Sequence, residues 1–262
     1  MTRVLSAAIL LPVLIGTVAY LPPLATLILA LLAATLSFVE YARLAAALGL
    51  RVPRALAGTA VLAACVAVAS GSNATELVLL TALITMGALA VASAQPGPGV
   101  LADAAAALFP TLYIGLPLGA LAALRVAGRD VVGLLALGII VSDSAQYYSG
   151  RAFGRHLLAP AISPKKTVEG AVGGVVVGGA AMVLGGMRVF PDTRLPLLVL
   201  MAAAVVAVGI VGDLFESLLK RSAGLKDSSN LIPGHGGVLD RIDSWLFAGP
   251  VFYVFVRYLQ IC

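Results

Sequence analysis

Acidic, basic and glycine residues gather between Gly212 and Trp245, in a chain that is otherwise strongly apolar. Asp213, Glu216 and Lys220 follow one another at i, i+3 and i+7, which places them on one face if the segment is helical. A carboxylate directly against an apolar run is costly, and binding a hard cation such as Mg²⁺ would explain it. The structural alternative is a helix end with an ordinary Glu216–Lys220 pair.

The next segment, Leu225–Gly237, is rich in Pro, Gly and Ser, which predicts an irregular loop. Its glycines allow backbone N–H groups to approach an anionic ligand closely. Asp240 and Asp243 follow, three residues apart and therefore on one helix face. Carboxylates beside a glycine-rich loop and a group of cations indicate a metal–phosphate site, the arrangement that phosphoryl or nucleotidyl transfer requires. For His235, a positional hydrogen-bonding role is favoured over that of a general base.

A second cationic segment, Ser163–Gly170, places Lys165, Lys166 and Thr167 at the start of a predicted helix. A helix N-terminus favours anions through its free N–H groups and its dipole. The alternative is an interfacial anchor in which the lysines extend toward the membrane surface. We expect this segment to bind phosphate.

Asp143 lies inside an apolar run, in the sequence Val141–Arg151. A carboxylate at membrane depth needs a partner, whether a cation, Arg151 or a hydroxyl. The glycines that follow, from Gly150 to Gly154, resemble a phosphate loop only superficially.

The composition defines the class of protein. The chain has 262 residues, of which 61% are hydrophobic and 11% charged, with a mean hydropathy of +1.06. These proportions exclude a soluble domain and indicate an integral membrane protein. Aromatic residues are only 6%, and the abundance of small apolar residues favours packed helices over a β-barrel. Two cysteines, Cys65 and Cys262, predict neither a disulfide framework nor a thiolate metal site.

A membrane-spanning helix needs about 20 apolar residues, and on that template the chain is predicted to be an all-α, polytopic protein with about nine transmembrane helices. The predicted spans are Val4–Tyr20, Leu24–Phe38, Ala55–Ser70, Thr75–Ser93, Val100–Leu124, Val131–Tyr148, Val168–Met187, Leu195–Val211 and Trp245–Ile261. The first resembles a signal peptide, but it is interpreted as a span because no small-x-small cleavage site precedes the Pro22-Pro23 turn.

Charge predicts the orientation and the division of the chain. With the N-terminus in the cytoplasm, 12 of the 17 Lys and Arg residues lie on the cytoplasmic side. The net charge of +5 is therefore read as a positive-inside bias with cations facing lipid or phosphate, not as a nucleic-acid surface. Residues 1–130 contain four acids, whereas eight lie between Asp143 and Asp243. We predict an N-terminal region of about five spans (1–130) and a catalytic region (131–262) whose active-site loops face the cytoplasm.

The run from Ser217 to Asp243 resembles the signature of the phosphatidate cytidylyltransferases, also called CDP-diacylglycerol synthases. The fixed positions of that signature are met by Ser217, Lys220, Arg221, Lys226, Asp227, Ser229, Ile232, Pro233, His235, Gly236, Gly237, Asp240, Arg241 and Asp243. Ser163–Gly170 is similar to a second family segment. A third family segment is matched by Asp143, Tyr147, Gly150, Arg151 and Gly154. In that segment Gln146 stands where a small residue is expected.

The resemblance implies that CTP and phosphatidic acid are converted to CDP-diacylglycerol and pyrophosphate, with Mg²⁺ required and a second cation left open. It also implies a polytopic helical enzyme that is a homodimer. A bacterial inner (plasma) membrane is expected, with the active site on the cytoplasmic side and no nucleic-acid partner. Because a phosphate monoester has a second pKa of about 6, no dedicated general base is needed.

The site residues are assigned to three roles. The expected catalytic residues are Asp213, Lys220, Arg221, Lys226, Asp240 and Asp243. The expected substrate-binding residues are Ser163, Lys165, Lys166, Thr167, Arg151, His235, Gly236, Gly237 and Arg241. The expected metal ligands are Asp213 and Asp240, followed by Asp243, Asp143 and Glu216.

Three other functions compete with this interpretation. A transporter or channel would carry intramembrane charges in both halves of the chain, whereas the first half is nearly free of acids. An enzyme acting on a different lipid phosphate or nucleotide is harder to separate, because apolar pockets discriminate weakly. The third alternative is an inactive relative that binds lipid, against which the complete set of acids and lysines argues.

Overall fold

The computed structural model describes residues 12–71, 73–93 and 96–258. Helix α1 is described over residues 12–20. The other helices are α2 (Pro23–Ala47), α3 (Arg54–Ala69), α4 (Ala74–Ser93), α5 (Val100–Pro110), α6 (Leu116–Ala127), α7 (Arg129–Phe153), α8 (Val168–Val189), α9 (Leu195–Ser222) and α10 (Leu239–Tyr258). A π-helical turn, Thr111–Gly115, joins α5 to α6. Two short strands, β1 (Leu157–Ala159) and β2 (Ser163–Thr167), pair antiparallel between α7 and α8.

The chain is an all-α, multi-pass membrane protein. Within the described residues, six helical stretches are long and apolar enough to cross a membrane: Pro23–Ala47, Ala74–Ala92, Val100–Ala127, Arg129–Phe153, Val168–Val189 and Leu195–Ser222. Helix α3 is apolar but has only 16 residues. The count of about nine spans stays a prediction, and residues 4–11 and 259–261 of the first and last predicted spans lie outside the described residues.

Two helices continue well past the ends that hydropathy predicts. Helix α2 extends beyond Phe38 to Ala47, and α9 extends beyond Val211 to Ser222. A hydropathy template stops at the first charged residues, whereas a helix continues wherever its backbone bonds persist and its polar side chains find partners. The extension of α9 confirms that Asp213, Glu216 and Lys220 lie in one helix.

The β1–β2 hairpin is a feature that the sequence analysis does not predict. An isolated two-stranded hairpin is marginally stable, so this one needs anchoring. Glu169, in the first turn of α8, accepts hydrogen bonds from the backbone N–H groups of Arg155 and His156 at 3.0 and 3.2 Å. Its other oxygen lies 2.6 Å from Nδ1 of His156. The hairpin leads directly into α8, whose N-cap is Thr167 with its hydroxyl accepting from the N–H of Gly170.

By internal contacts the chain divides into two compact units. The first unit comprises the described residues up to Ala123 together with Leu219–Arg241, and the second comprises Leu124–Leu218 together with residues 242–258. The segment that carries most of the cytidylyltransferase-like signature therefore groups with the N-terminal helices. The predicted division into an N-terminal membrane region (1–130) and a catalytic region (131–262) is a functional one. The internal contacts do not test it, so it stays a prediction.

Close helix contacts hold the first unit together. A Cβ added at Gly115 would lie 2.6 Å from the carbonyl oxygen of Val61, and one added at Gly119 would lie 2.6 Å from that of Cys65. The π-helical turn and α6 can therefore approach the backbone of α3 only because these positions lack a side chain. Small residues at helix contacts are the usual means of close packing in a membrane.

The second unit is built around the pair α7 and α8. Gly170, Gly174 and Gly178 are spaced four apart and form one stripe of α8. An added Cβ at Gly178 would lie 2.7 Å from the Cβ of Ser142, on α7. The glycine stripe thus fixes the approach of α8 to the polar part of α7.

Candidate active site

The signature segment contains a buried ion pair between Lys220, near the end of α9, and Asp240, at the start of α10. Nζ of Lys220 lies 2.5 Å from Oδ1 of Asp240, and each residue is 8% exposed. Oδ2 of Asp240 accepts from the N–H of Gly237 at 2.7 Å and from the N–H and hydroxyl of Ser228 at 2.9 and 2.8 Å. Both oxygens of Asp240 are therefore engaged in holding the loop.

Burial by itself raises the pKa of Asp240, but the hydrogen bonds from Lys220, Gly237 and Ser228 outweigh it and hold the pKa below its ordinary value. Asp240 is thus an ionised anchor that joins α9 to the loop. The sequence predicts that Asp240 binds a metal. That role stays untested, and the four hydrogen bonds indicate a structural task for this carboxylate.

Two glycines of the loop are required by this packing. Gly236 has φ of +83°, and an added Cβ would lie 2.6 Å from Oδ2 of Asp240. An added Cβ at Gly237 would lie 2.5 Å from both carboxylate oxygens of Glu40 and would overlap the hydroxyl of Ser228. The neighbouring His235 is half-buried, and its N–H closes a turn by donating to the carbonyl of Ile232 at 2.9 Å. These contacts support the predicted loop-shaping role of His235, Gly236 and Gly237.

Glu40, on α2, is the member of this group that the sequence analysis does not select. It is 2% exposed and accepts hydrogen bonds from Ser228, Ser229, Val238 and Leu239. Its only signal in the sequence is an acid within a nearly acid-free first half. The hydrogen-bond partners of Glu40 lie 188 to 199 residues away in the sequence, so they are decided by long-range packing.

A second group of charges lies in the second unit. Lys166, on β2, forms an ion pair and hydrogen bond with Asp213, on α9, and both side chains are half-buried. Asp143, on α7, is close enough to Asp213 and Lys166 for their charges to interact. This carboxylate group, Asp143 and Asp213 with Lys166, brings together three residues that the sequence predicts from three separate segments.

Gln146, which departs from the family-like pattern, contacts this group. Its Nε2 donates to Oδ1 of Asp143 at 3.1 Å and lies 3.3 Å from the hydroxyl of Ser142. Its side chain lies across Gly174, where an added Cβ would come within 2.5 Å of Cγ of Gln146. The larger residue is thus accommodated by a glycine on α8 and is used to orient Asp143.

Helices α9 and α10 approach each other closely beside Asp213. An added Cβ at Gly212 would lie 2.7 Å from the carbonyl oxygen of Asp243, and the rings of Phe215 and Phe247 are 5.5 Å apart. Oδ1 of Asp243 accepts from the N–H of Ser244 at 2.7 Å. Glu216 is fully buried. Metal binding by Asp243 and Glu216 stays a prediction.

The remaining predicted cations are exposed. They are Arg151, Lys165, Arg221, Lys226 and Arg241. Two of them have local contacts: Nη1 of Arg151 donates to the hydroxyl of Tyr147 at 3.3 Å, and Nη1 of Arg221 donates to the carbonyl of Leu225 at 3.2 Å. Ser163 is half-buried on β2. Exposed guanidinium and ammonium groups of this kind can bind phosphate.

The donor atoms of the carboxylate group fit Mg²⁺. Across residues 12–71, 73–93 and 96–258, no group of three or more His, Cys, Asp or Glu side chains is arranged to hold a metal ion. Mg²⁺ is usually bound through one or two carboxylates together with substrate phosphates and water, so a pair of carboxylates is sufficient. Asp143 and Asp213 are two carboxylates of this type, and Lys166 partly balances their charge.

Several known proteins are similar in sequence to parts of this chain. Phosphatidate cytidylyltransferase of Haemophilus influenzae is 46% identical over 121 residues, which cover 44% of this chain and 41% of that protein. The enzyme of the same name from Pseudomonas aeruginosa is 48% identical over 122 residues, 45% of each chain. That of Staphylococcus saprophyticus is 38% identical over 154 residues, 58% of each chain.

The matched segments span between 41% and 58% of the length of these curated relatives. A model of the cytidylyltransferase family matches much more of this chain, from residue 1 to residue 259. The match includes both the buried loop and the carboxylate group described above. This chain belongs to the cytidylyltransferase family.

Proposed function

We propose that this chain is a phosphatidate cytidylyltransferase, which transfers the cytidylyl group of CTP to phosphatidic acid. The family match and the names of the relatives support the activity and its two substrates. The observation that carries the proposal is the meeting of separate parts of the signature segment at Asp240. Lys220, Ser228 and Gly237 all contact that single buried carboxylate.

The proposed reaction is a single displacement at phosphorus. A phosphate oxygen of phosphatidic acid attacks the α-phosphorus of CTP, and the bond from that phosphorus to the oxygen bridging the α- and β-phosphates breaks. The products are CDP-diacylglycerol and pyrophosphate. Since the phosphate monoester is largely ionised near neutral pH, it needs no protein base to remove a proton.

The main task left to the protein is to bring two polyanions together. We assign the phosphates of CTP to the glycine-rich loop and to the exposed cations beside it, Arg221, Lys226 and Arg241. Lys165 and Arg151 are assigned to phosphate binding in the second unit. Lys220 is assigned to organising the loop, because its ammonium is already held by Asp240.

Mg²⁺ dependence is part of the proposal. Asp143 and Asp213 are the residues that would hold the ion, and a bound Mg²⁺ neutralises phosphate oxygens during nucleotidyl transfer. Lys166 orients Asp213 through their ion pair, and Gln146 orients Asp143 through its amide. A homodimer in a bacterial inner membrane, with the active site on the cytoplasmic side, completes the proposal and follows from the family resemblance and the charge distribution.

The decisive experiment measures product formation in detergent–lipid micelles. Purified protein receives CTP labelled at the α-phosphate, with phosphatidic acid as the acceptor, with and without Mg²⁺. The Asp213→Asn variant is assayed in parallel. Asp130→Asn is the matched control, because Asp130 is an exposed acid at the start of α7.

Metal-dependent transfer of label into the lipid fraction, lost in Asp213→Asn and kept in Asp130→Asn, would support the reaction and the carboxylate group together. Bound CTP without lipid labelling would direct the search to a different lipid phosphate as acceptor. A folded wild-type protein that neither binds CTP nor labels lipid would overturn the proposal and favour the transporter alternative.

A further inference from the structure

Glu40 is a buried acid that the proposed mechanism does not use. It lies on α2, which is otherwise apolar enough to cross a membrane, and it is 2% exposed. A buried charge is strongly unfavourable unless hydrogen bonds compensate it. The burial of Glu40 therefore indicates a specific structural role for its carboxylate.

The hydrogen bonds to Glu40 all come from the two ends of the loop. Oε1 accepts from the hydroxyl of Ser229 at 2.6 Å and from the N–H of Val238 at 3.0 Å. Oε2 accepts from the hydroxyl of Ser228 at 3.0 Å and from the N–H of Leu239 at 2.8 Å. One carboxylate thus closes the loop between residues 228 and 239.

The pattern requires a carboxylate and excludes an amide of the same shape. Each oxygen of Glu40 accepts a hydrogen bond from one backbone N–H group, and a backbone N–H can act only as a donor. A glutamine would have to place its NH₂ group against the N–H of either Val238 or Leu239. It would leave that buried donor unpaired, which is costly.

Ser228 connects Glu40 to the anchor at Asp240. Its single O–H is shared between Oε2 of Glu40, at 3.0 Å, and Oδ2 of Asp240, at 2.8 Å. Gly237 lies against both groups, since an added Cβ there would overlap the Ser228 hydroxyl and come within 2.5 Å of Glu40. The loop is therefore held by two carboxylates, one from the signature and one from α2.

We propose that Glu40 is a positioning residue that holds the loop in the conformation that binds the phosphates of CTP. The part of this inference that concerns CTP rests on the proposed function. The part that concerns the loop rests only on the four hydrogen bonds and the burial of Glu40. It gives the N-terminal helices a direct part in organising the nucleotide site.

The test compares Glu40→Gln with Glu76→Gln in the full-length protein in detergent. Glu76 is an exposed glutamate on α4, so the control makes the same chemical change without touching the loop. Hydrogen–deuterium exchange is followed in peptides from residues 226–239 and from α7 and α8. The KM for CTP and the KM for phosphatidic acid are measured on the same samples.

We expect exchange in the loop peptides of Glu40→Gln to accelerate about tenfold or more, since hydrogen bonds to a buried charge are lost. Exchange in α7 and α8 should stay as in the wild type. We also expect the KM for CTP to rise about tenfold while the KM for phosphatidic acid is unchanged. Simple destabilisation would instead lower the active fraction and leave both KM values unchanged.

Unchanged loop exchange in Glu40→Gln would overturn the inference, and so would an equal acceleration in every helix. Suppose that Glu40→Gln accelerates exchange only in the loop, while the wild-type protein shows no transferase activity. The loop anchoring would then be supported, and the proposed function would be refuted separately. Ser229→Ala, which removes a single donor to Oε1, keeps the test decisive where Glu40→Gln fails to fold. We expect an intermediate acceleration for it, and unchanged exchange there would equally overturn the inference.

Discussion

Nζ of Lys220 lies 2.5 Å from Oδ1 of Asp240, and this buried pair joins the end of α9 to the start of α10. The side chains are only 11% and 4% exposed. The two charges of a buried ion pair compensate each other. Removing one partner leaves an uncompensated buried charge, which strongly destabilises the folded state. The stability of the signature segment therefore depends on keeping both Lys220 and Asp240.

Removing the cation of this pair should strongly destabilise the protein. Lys220→Met leaves Asp240 buried without its counter-ion, and we expect a loss of about 3–5 kcal/mol in the free energy of unfolding. Lys226→Met is the matched control, because Lys226 is an exposed lysine in the same segment. Denaturant titration of both variants in detergent would measure the difference, and equal stabilities would contradict a structural role for the pair.

Asp240 should contribute a pH-dependent part of the stability. Its pKa in the folded protein lies below the ordinary value of 3.8, so the unfolded state takes up a proton first as the pH falls. The contribution is complete above about pH 5 and is lost as the pH falls below about 4 and through the folded-state pKa. The measurement is the difference in Tm between wild type and Asp240→Asn at successive pH values. A difference that stays constant down to pH 3 would be inconsistent with a depressed pKa.

Asp143 should set the Mg²⁺ requirement of the proposed reaction. We expect Asp143→Asn to raise the Mg²⁺ concentration for half-maximal activity about tenfold or more, because one of two carboxylate ligands is lost. Asp130→Asn, at the start of α7, should leave this concentration unchanged. The measurement is a Mg²⁺ titration of lipid labelling for the three proteins. An unaltered titration in Asp143→Asn would remove Asp143 from the metal site.

Two adjacent glycines of α8 should respond oppositely to the same substitution. At Gly178 an added Cβ would lie 2.7 and 2.9 Å from Cβ and Cα of Ser142, so Gly178→Ala forces α8 away from α7. We expect a destabilisation of about 1–3 kcal/mol. At Gly179 the added Cβ would meet nothing within 4 Å apart from its chain neighbours and the nearby backbone of α8, so Gly179→Ala should be neutral or stabilising by up to about 1 kcal/mol.

Unfolding of the two glycine variants in the same detergent would measure these effects side by side. Equal effects at the two positions would show that helix propensity, not the contact with Ser142, decides the outcome. The matched pair therefore separates backbone propensity from packing.

A structural feature can be predicted from the sequence when it depends on residues close together in the chain, and not when it depends on distant partners. Hydropathy alone indicates the membrane helices of α7, α8 and α9, because burial in lipid acts on every residue of a span. It places the ends of α2 and α9 too early, since the polar residues beyond Phe38 and Val211 are satisfied by partners that hydropathy does not record. The β1–β2 hairpin is likewise secured by Glu169, a residue of the following helix.

The candidate site divides in the same way. Residue type and position along the chain predict Asp143, Lys166, Asp213 and the signature loop as site residues, because neighbouring residues in the sequence indicate local helix faces, membrane depth and loop chemistry. Only the tertiary structure paired Lys166 with Asp213, assigned Asp240 to Lys220 and placed Glu40 against the loop. Those pairings join residues from 20 to 199 positions apart, and hydrogen bonds over such distances are decided by how the helices pack, which no local pattern encodes.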